Sequence, residues 1–247
     1  LQTTASLIHD RTSYQVVMRL TRAVCAFFIV CLAVLAFTPA GEWTLRTLIG
    51  LRDPFEIALA YTGMQVVILL PVVETLRNSM HGLAISHKAT GVLPASTAIR
   101  VFVTSLFCVW AVHARLLSGI VVGTVAWVVG IGIEGVLVGL YLIHRFGSPS
   151  RAAASLRDRS GTAVTPARFF RFFLPLGVMM TVSAGMMPVL QAGLARGPSP
   201  TETLAAFGVA ASLKTVLTGP LQMLHQAPLI HVGGFSDPRF VIVRRFC

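Results

Sequence analysis

The sequence predicts an all-helical, polytopic membrane protein, and three observations carry the prediction. Mean hydropathy is +0.77, with 55% of the 247 residues hydrophobic. Charged residues make up 12%, about half the share usual in soluble chains. Finally, fifteen of the 20 Lys and Arg residues fall in alternate gaps between long apolar runs, the pattern left by cytoplasmic loops that retain positive charge.

Six apolar segments follow in order, at about 23–38, 57–76, 98–114, 116–143, 169–190 and 203–224. Each approaches the roughly 20 residues that a helix needs to cross the hydrocarbon core. Closed β-barrels are the other spanning solution, but runs such as Ala23–Phe37 lack the two-residue alternation of a barrel strand.

The gaps orient the chain. Residues 1–22 hold Arg11, Arg19 and Arg22 against Asp10, and are expected inside. Gap 39–56 sets Arg46 and Arg52 against Glu42, Asp53 and Glu56, and is expected outside. Gap 77–97, with Arg77 and Lys88 and then Arg100, is expected inside as a loop. Parity puts the short turn at His113 and Arg115 outside. The linker 144–168 carries Arg145, Arg151, Arg157, Arg159 and Arg168 against Asp158, and its Gly, Pro and Ala content predicts a flexible cytoplasmic connector. Gap 191–202 pairs Arg196 with Glu202 outside, and the tail with Arg239, Arg244 and Arg245 returns inside. Both termini are therefore expected on the cytoplasmic side of a plasma or inner membrane.

Other classes fit poorly. The net charge of +11 is spread over short loops and forms no basic helix or aromatic-interleaved patch, so no nucleic-acid partner is expected. Cys25, Cys31, Cys108 and Cys247 have no metal-ligand spacing, and no phosphate loop or nucleophile elbow appears. No enzyme activity, cofactor or metal is expected. The partners expected are the lipid bilayer and a small organic solute or ion.

Several residues stand out inside the apolar segments. Glu134, in Gly130-Ile-Gly-Ile-Glu-Gly135, is an acidic group in mid-segment, where ionisation is costly and usually serves a cavity or a bundle interior. It reads either as a proton, cation or substrate contact or as a structural hydrogen-bonding group. Its glycines would let another helix or a ligand come close. Lys214 reads as a cation in a cavity or as a side chain reaching the interface. Glu74 and Arg77, three apart, suggest an interfacial ion pair. Gln65 and Gln191 are weaker candidates for lining a solute path. Pro71, Pro175 and the Gly219-Pro220 pair mark possible helix breaks or hinges, because proline removes a backbone donor.

A shift of 222 positions aligns Leu7-Ile8-His9 with Leu229-Ile230-His231, Arg22 with Arg244 and Cys25 with Cys247. This faint repeat suggests a two-part design of a kind common in transporters.

Phe172-Phe-Leu-Pro-Leu-Gly177, Gly193-Leu-Ala-Arg196, Leu204-Ala-Ala-Phe-Gly-Val-Ala210, Ser212-Leu-Lys214 and Leu217-Thr-Gly-Pro220 resemble the opening helix pair of the progressive ankylosis protein family, relatives of the MATE-like exporters and flippases. Thr38-Pro39, Pro71 with Arg77, Arg100 and Gly132–Gly135 resemble positions in the last four helices of a six-helix lobe of the same superfamily. The resemblance implies three parts: the last four helices of a first lobe (1–146), a cytoplasmic inter-lobe linker (147–168) and the first two helices of a second lobe (169–247). It also implies that helices of the same protein, or a second copy, complete the fold, and that no carboxylate occupies the usual coupling position in 169–190. The function implied is export or flipping of organic or amphiphilic solutes by alternating access. A lipid-linked saccharide flippase and a non-transporting membrane scaffold or inactive fragment are the alternatives.

Overall fold

The computed structural model describes residues 7–8, 10–114, 118–156 and 164–223. The aligned residues 229–247 of the faint repeat, with the basic tail, Arg115 and the middle of the basic linker, lie outside them. The described residues form helices and turns and no strand.

Helix α1 (Arg11–Phe37) starts at a reciprocal cap: Asp10 Oδ1 accepts from the Ser13 amide at 2.7 Å, and Ser13 Oγ accepts from the Asp10 amide at 3.0 Å. It ends where Thr38 turns extended and caps the short α2 (Pro39–Thr44). Gly41 permits this sharp turn, since a Cβ there would meet the Leu35 carbonyl. A π-helical turn at Leu45–Ile49 closes on Gly50, whose φ of 90° suits glycine. Then α3 (Pro54–Val67) begins at an Asp53 cap. Tyr61 donates to the Thr38 carbonyl at 2.6 Å and ties α3 to the α1–α2 corner.

The second predicted segment is two helices. α3 stops at Val67 and α4 (Leu70–Ser86) follows at a bend of 41°. Pro71, in the first turn of α4, lacks the N–H that would continue the ladder. Residues 77–86, expected in a loop, are helical: the polar run Arg77-Asn78-Ser79 lowers hydropathy, yet Ser79 is buried and Arg77 and Asn78 are half-buried. α5 (Val92–Ala114) and α6 (Gly119–Phe146) follow. The flexible connector expected after α6 is also partly ordered. Gly147 turns the chain at φ 79°, Ser148 caps α7 (Pro149–Ala154), and Ala152 and Ala153 are fully buried. His87 Nε2 donates to the Ala152 carbonyl at 2.9 Å, and its ring lies 4.4 Å from that of Phe146.

The chain separates into two compact units, Leu1–Ser183 and Ala184–Cys247. The core of the first gathers at the end of the bundle that carries the α4–α5 turn, around Val17, Leu83, Ala84, Val138, Leu142, Ala153 and Phe169. Phe169 and Phe173 of α8 (Pro166–Leu194), expected to open a second lobe, pack against this core. In the second unit, α9 (Pro200–Met223) follows a turn at Ser199 with φ 55°.

Among the described residues, α1, α5, α6 and α8 are long and apolar enough to cross a membrane, and the bent α3–α4 pair makes a fifth span if it crosses as one. Their outward faces are apolar, with Phe27, Val30, Phe102, Trp110, Trp127 and Val182 more than half exposed. This composition suits an integral membrane protein.

Candidate functional site

α6 carries glycines on the faces it turns toward its neighbours, and two of them decide the site. A Cβ on Gly135 would stand 3.0 Å from the Arg77 backbone, and one on Gly130 would stand 2.6 Å from Thr104 Cγ2. These bare positions bring α4 and α5 against α6 on either side of Glu134. The close approach anticipated from the glycines is thus made by helices.

Glu134 is 1% exposed. Arg100 Nη1 donates to Oε2 at 2.8 Å, and Thr97 Oγ1 donates to Oε1 at 2.8 Å. Arg77 Nε lies 3.1 Å from Oε2, an ionic contact without hydrogen-bond alignment. His81 Nε2 lies 3.5 Å from Oε1. Arg77 also approaches Glu74 Oε2 at 3.6 Å, and Asn78 Nδ2 donates to that same oxygen at 3.0 Å. Two carboxylates and two guanidiniums therefore form one charge-balanced cluster across three helices. Counting helical rise from Ser86, Val92 and Phe146, the cluster lies about 12–18 Å in from the helix ends. A lone charge there costs several kcal/mol, and mutual pairing offsets that cost.

A cleft opens on each side of the cluster. One, of about 260 Å³, lies between α1, α4 and α8. Thr21, Glu74, Thr75, Asn78 and Ser79 supply its polar wall, and Phe28, Phe169 and Phe173 supply apolar surface. The other, of about 380 Å³, lies between α5 and α6, with Arg100, Thr104, Ser105 and Trp127 among its lining. Arg77 links Glu74 of the first cleft to Glu134, and Arg100 links Glu134 to the second.

The sequence candidates fare unevenly. Glu134 is central, but protein side chains hold both of its oxygens. Pro71 stands at the observed bend and also lines the first cleft. Gln65 is exposed and lines neither cleft. Gln191 and Lys214 are exposed within the second unit. The helix is continuous through Pro175, and through the backbone of Gly219 and Pro220. Sequence reasoning missed His81, Thr97 and Asn78 as site residues, and treated Arg100 as a loop-flanking charge and a position of the family resemblance. The available signal was spacing, because Arg77–His81 and Thr97–Arg100 each place two polar groups on one helix face. Among the described residues no cluster of side chains could hold a metal ion.

No family model matches the chain, and neither a curated protein nor a solved structure matches it.

Proposed function

We propose that the chain is part of a membrane transporter, an exporter or flippase that moves organic or amphiphilic solutes by alternating access. The observation that carries this reading is the cleft between α1, α4 and α8. It sets a carboxylate, an amide and three hydroxyls beside three phenyl rings, inside a bundle whose outer faces are apolar. Polar groups lining a cavity at membrane depth are the usual mark of a solute path. In this reading the solute meets Glu74 and Asn78, while the Glu134 cluster holds α4, α5 and α6 together as one moving body. A sixth span at α9, cytoplasmic termini and a two-lobe MATE-like arrangement belong to the same proposal.

A second reading, a non-transporting membrane scaffold, draws on the charge balance of the cluster, which is what a purely structural brace would also need.

The two separate in proteoliposomes loaded with a cationic dye, an anionic dye or an NBD-labelled phospholipid. The transporter reading expects at least one probe to cross faster than in protein-free vesicles. Glu74→Gln and Asn78→Ala should slow it about tenfold or more while helical content is unchanged. If all three probes cross at the protein-free rate, the transporter reading fails and the scaffold stands.

A further inference from the structure

We propose that His81 and Glu134 form a proton-binding site that fills when Arg77 withdraws from Glu134, so that the bundle exchanges a guanidinium for a proton. The inference stands on the ionic cluster alone and holds whether or not the chain transports a solute.

The starting observation is an orphan. The His81 side chain is 8% exposed, and its Nε2 is buried 3.5 Å from Glu134 Oε1 with no hydrogen-bond partner among the described residues. A buried ring nitrogen normally finds a partner, and the atom it faces is a carboxylate oxygen. The charged groups around it are few. Glu134 faces it from α6, Arg100 stands on α5, and Arg77 stands one turn back on its own helix and also contacts Glu74. Among the described residues, Arg11, Arg19 and Arg22 of α1 and Arg151 of α7 form no ion pair with this group.

Charge accounting gives the rest. With Arg77 in place, the carboxylates of Glu74 and Glu134 cancel the guanidiniums of Arg77 and Arg100. A fifth charge on His81 would leave the buried cluster net positive. Arg77 is the member able to leave, because it holds Glu134 through unaligned Nε while Arg100 makes an aligned bond, and because its Nη1 already reaches Glu74 at the first cleft. When Arg77 turns fully to Glu74, Glu134 keeps one cation, and a 1%-exposed carboxylate is then under-compensated. A proton from water binding His81 Nε2 restores the lost charge, and the new N–H donates to Oε1. His81 lies four residues after Arg77 on one face of α4, so the replacement charge arrives from the same side.

Arg77→Gln removes the guanidinium permanently and so isolates the filled site. The measurement is the thermal midpoint in nanodiscs between pH 8 and pH 5 for wild type, R77Q and R77Q/H81Q. In R77Q the proton binds the folded state more tightly than the unfolded state. The stabilisation is therefore present at low pH and lost as pH rises. R77Q should gain about 3–6 °C on going to pH 5 relative to R77Q/H81Q, and wild type should lack this gain. Coincident profiles for R77Q and R77Q/H81Q overturn the proposal. If R77Q yields no folded protein at pH 8, purification at pH 5.5 decides: recovery that H81Q abolishes supports the exchange, and failure at both pH values overturns it.

Discussion

Replacing Glu134 by glutamine keeps the shape of the side chain and removes its charge, leaving two guanidiniums facing an amide inside the bundle. At an effective dielectric of about 20, unit charges about 4 Å apart attract by about 4 kcal/mol. Arg100 keeps 28% of its side chain exposed, so solvent screening reduces that figure to about 2–3 kcal/mol for the Glu134–Arg100 pair. Breaking a fully buried pair from one side costs about 3–5 kcal/mol, and the partial exposure of both arginines places Glu134→Gln at the lower end, about 3 kcal/mol. Arg100→Gln should cost about 2–3 kcal/mol, because Arg77 continues to hold the carboxylate. The double variant E134Q/R100Q removes both members and should be about as stable as E134Q alone. The expected coupling energy is therefore about 2–3 kcal/mol. Unfolding in mixed SDS micelles, followed by circular dichroism, measures all four corners of the cycle. If the two single effects add to the double effect within about 0.5 kcal/mol, the pair is not an energetic unit and the reasoning is refuted.

Two further outcomes follow from contacts at other places in the bundle. Gly135→Ala should destabilise by about 1–3 kcal/mol, because the new methyl meets the backbone of Arg77, which can yield only if α4 moves away. Gly123→Ala on the same helix meets nothing within 4 Å and should be neutral or slightly stabilising; equal costs in the micelle assay would show that close packing is not what the glycine supplies. His87→Ala removes a hydrogen bond to Ala152 and a ring contact with Phe146, together worth about 1.5 kcal/mol. Amide exchange over 152–156 should then accelerate about tenfold while α6 stays protected, and unchanged exchange would separate α7 docking from His87.

Hydropathy made the long helices legible, because burial in lipid demands an almost continuous apolar run, and α1, α5, α6 and α8 each contain one. What hydropathy hides is where a helix goes after it turns polar. The apolar run ends near Leu76, yet α4 continues for ten residues, with Arg77 in ionic contact with Glu134 of α6 and Met80, Leu83 and Ala84 in the core. Glu134 lies more than fifty positions away along the chain, a separation over which local pattern carries no information. Charge counting placed the start of the 77–97 loop at Arg77 for the same reason: it treats each arginine as a loop marker and cannot see that Arg77 and Arg100 pair with Glu74 and Glu134. The bend before α4 was legible through Pro71. The docking of α7 was not, since Ala152 and Ala153 read as flexible chain until the bundle surface that covers them is known.

The concentration of the core at one end of the first unit has a mechanical consequence. From Leu142 back to Gly119, α6 runs about 35 Å, with Val122, Ala126, Val128 and Ile131 buried along the way. A rotation of only about 10° about the packed end would carry the far tip of such a helix about 6 Å, roughly the length of one helical turn. Any tilt of α6 about that end would therefore be largest at Gly119, where Ile120 and Thr124 pack beside Gly63 of α3. The Glu134 cluster lies between that end and the tip, about 20 Å of helix from Gly119, so a tilt at the cluster would be multiplied over the remaining length.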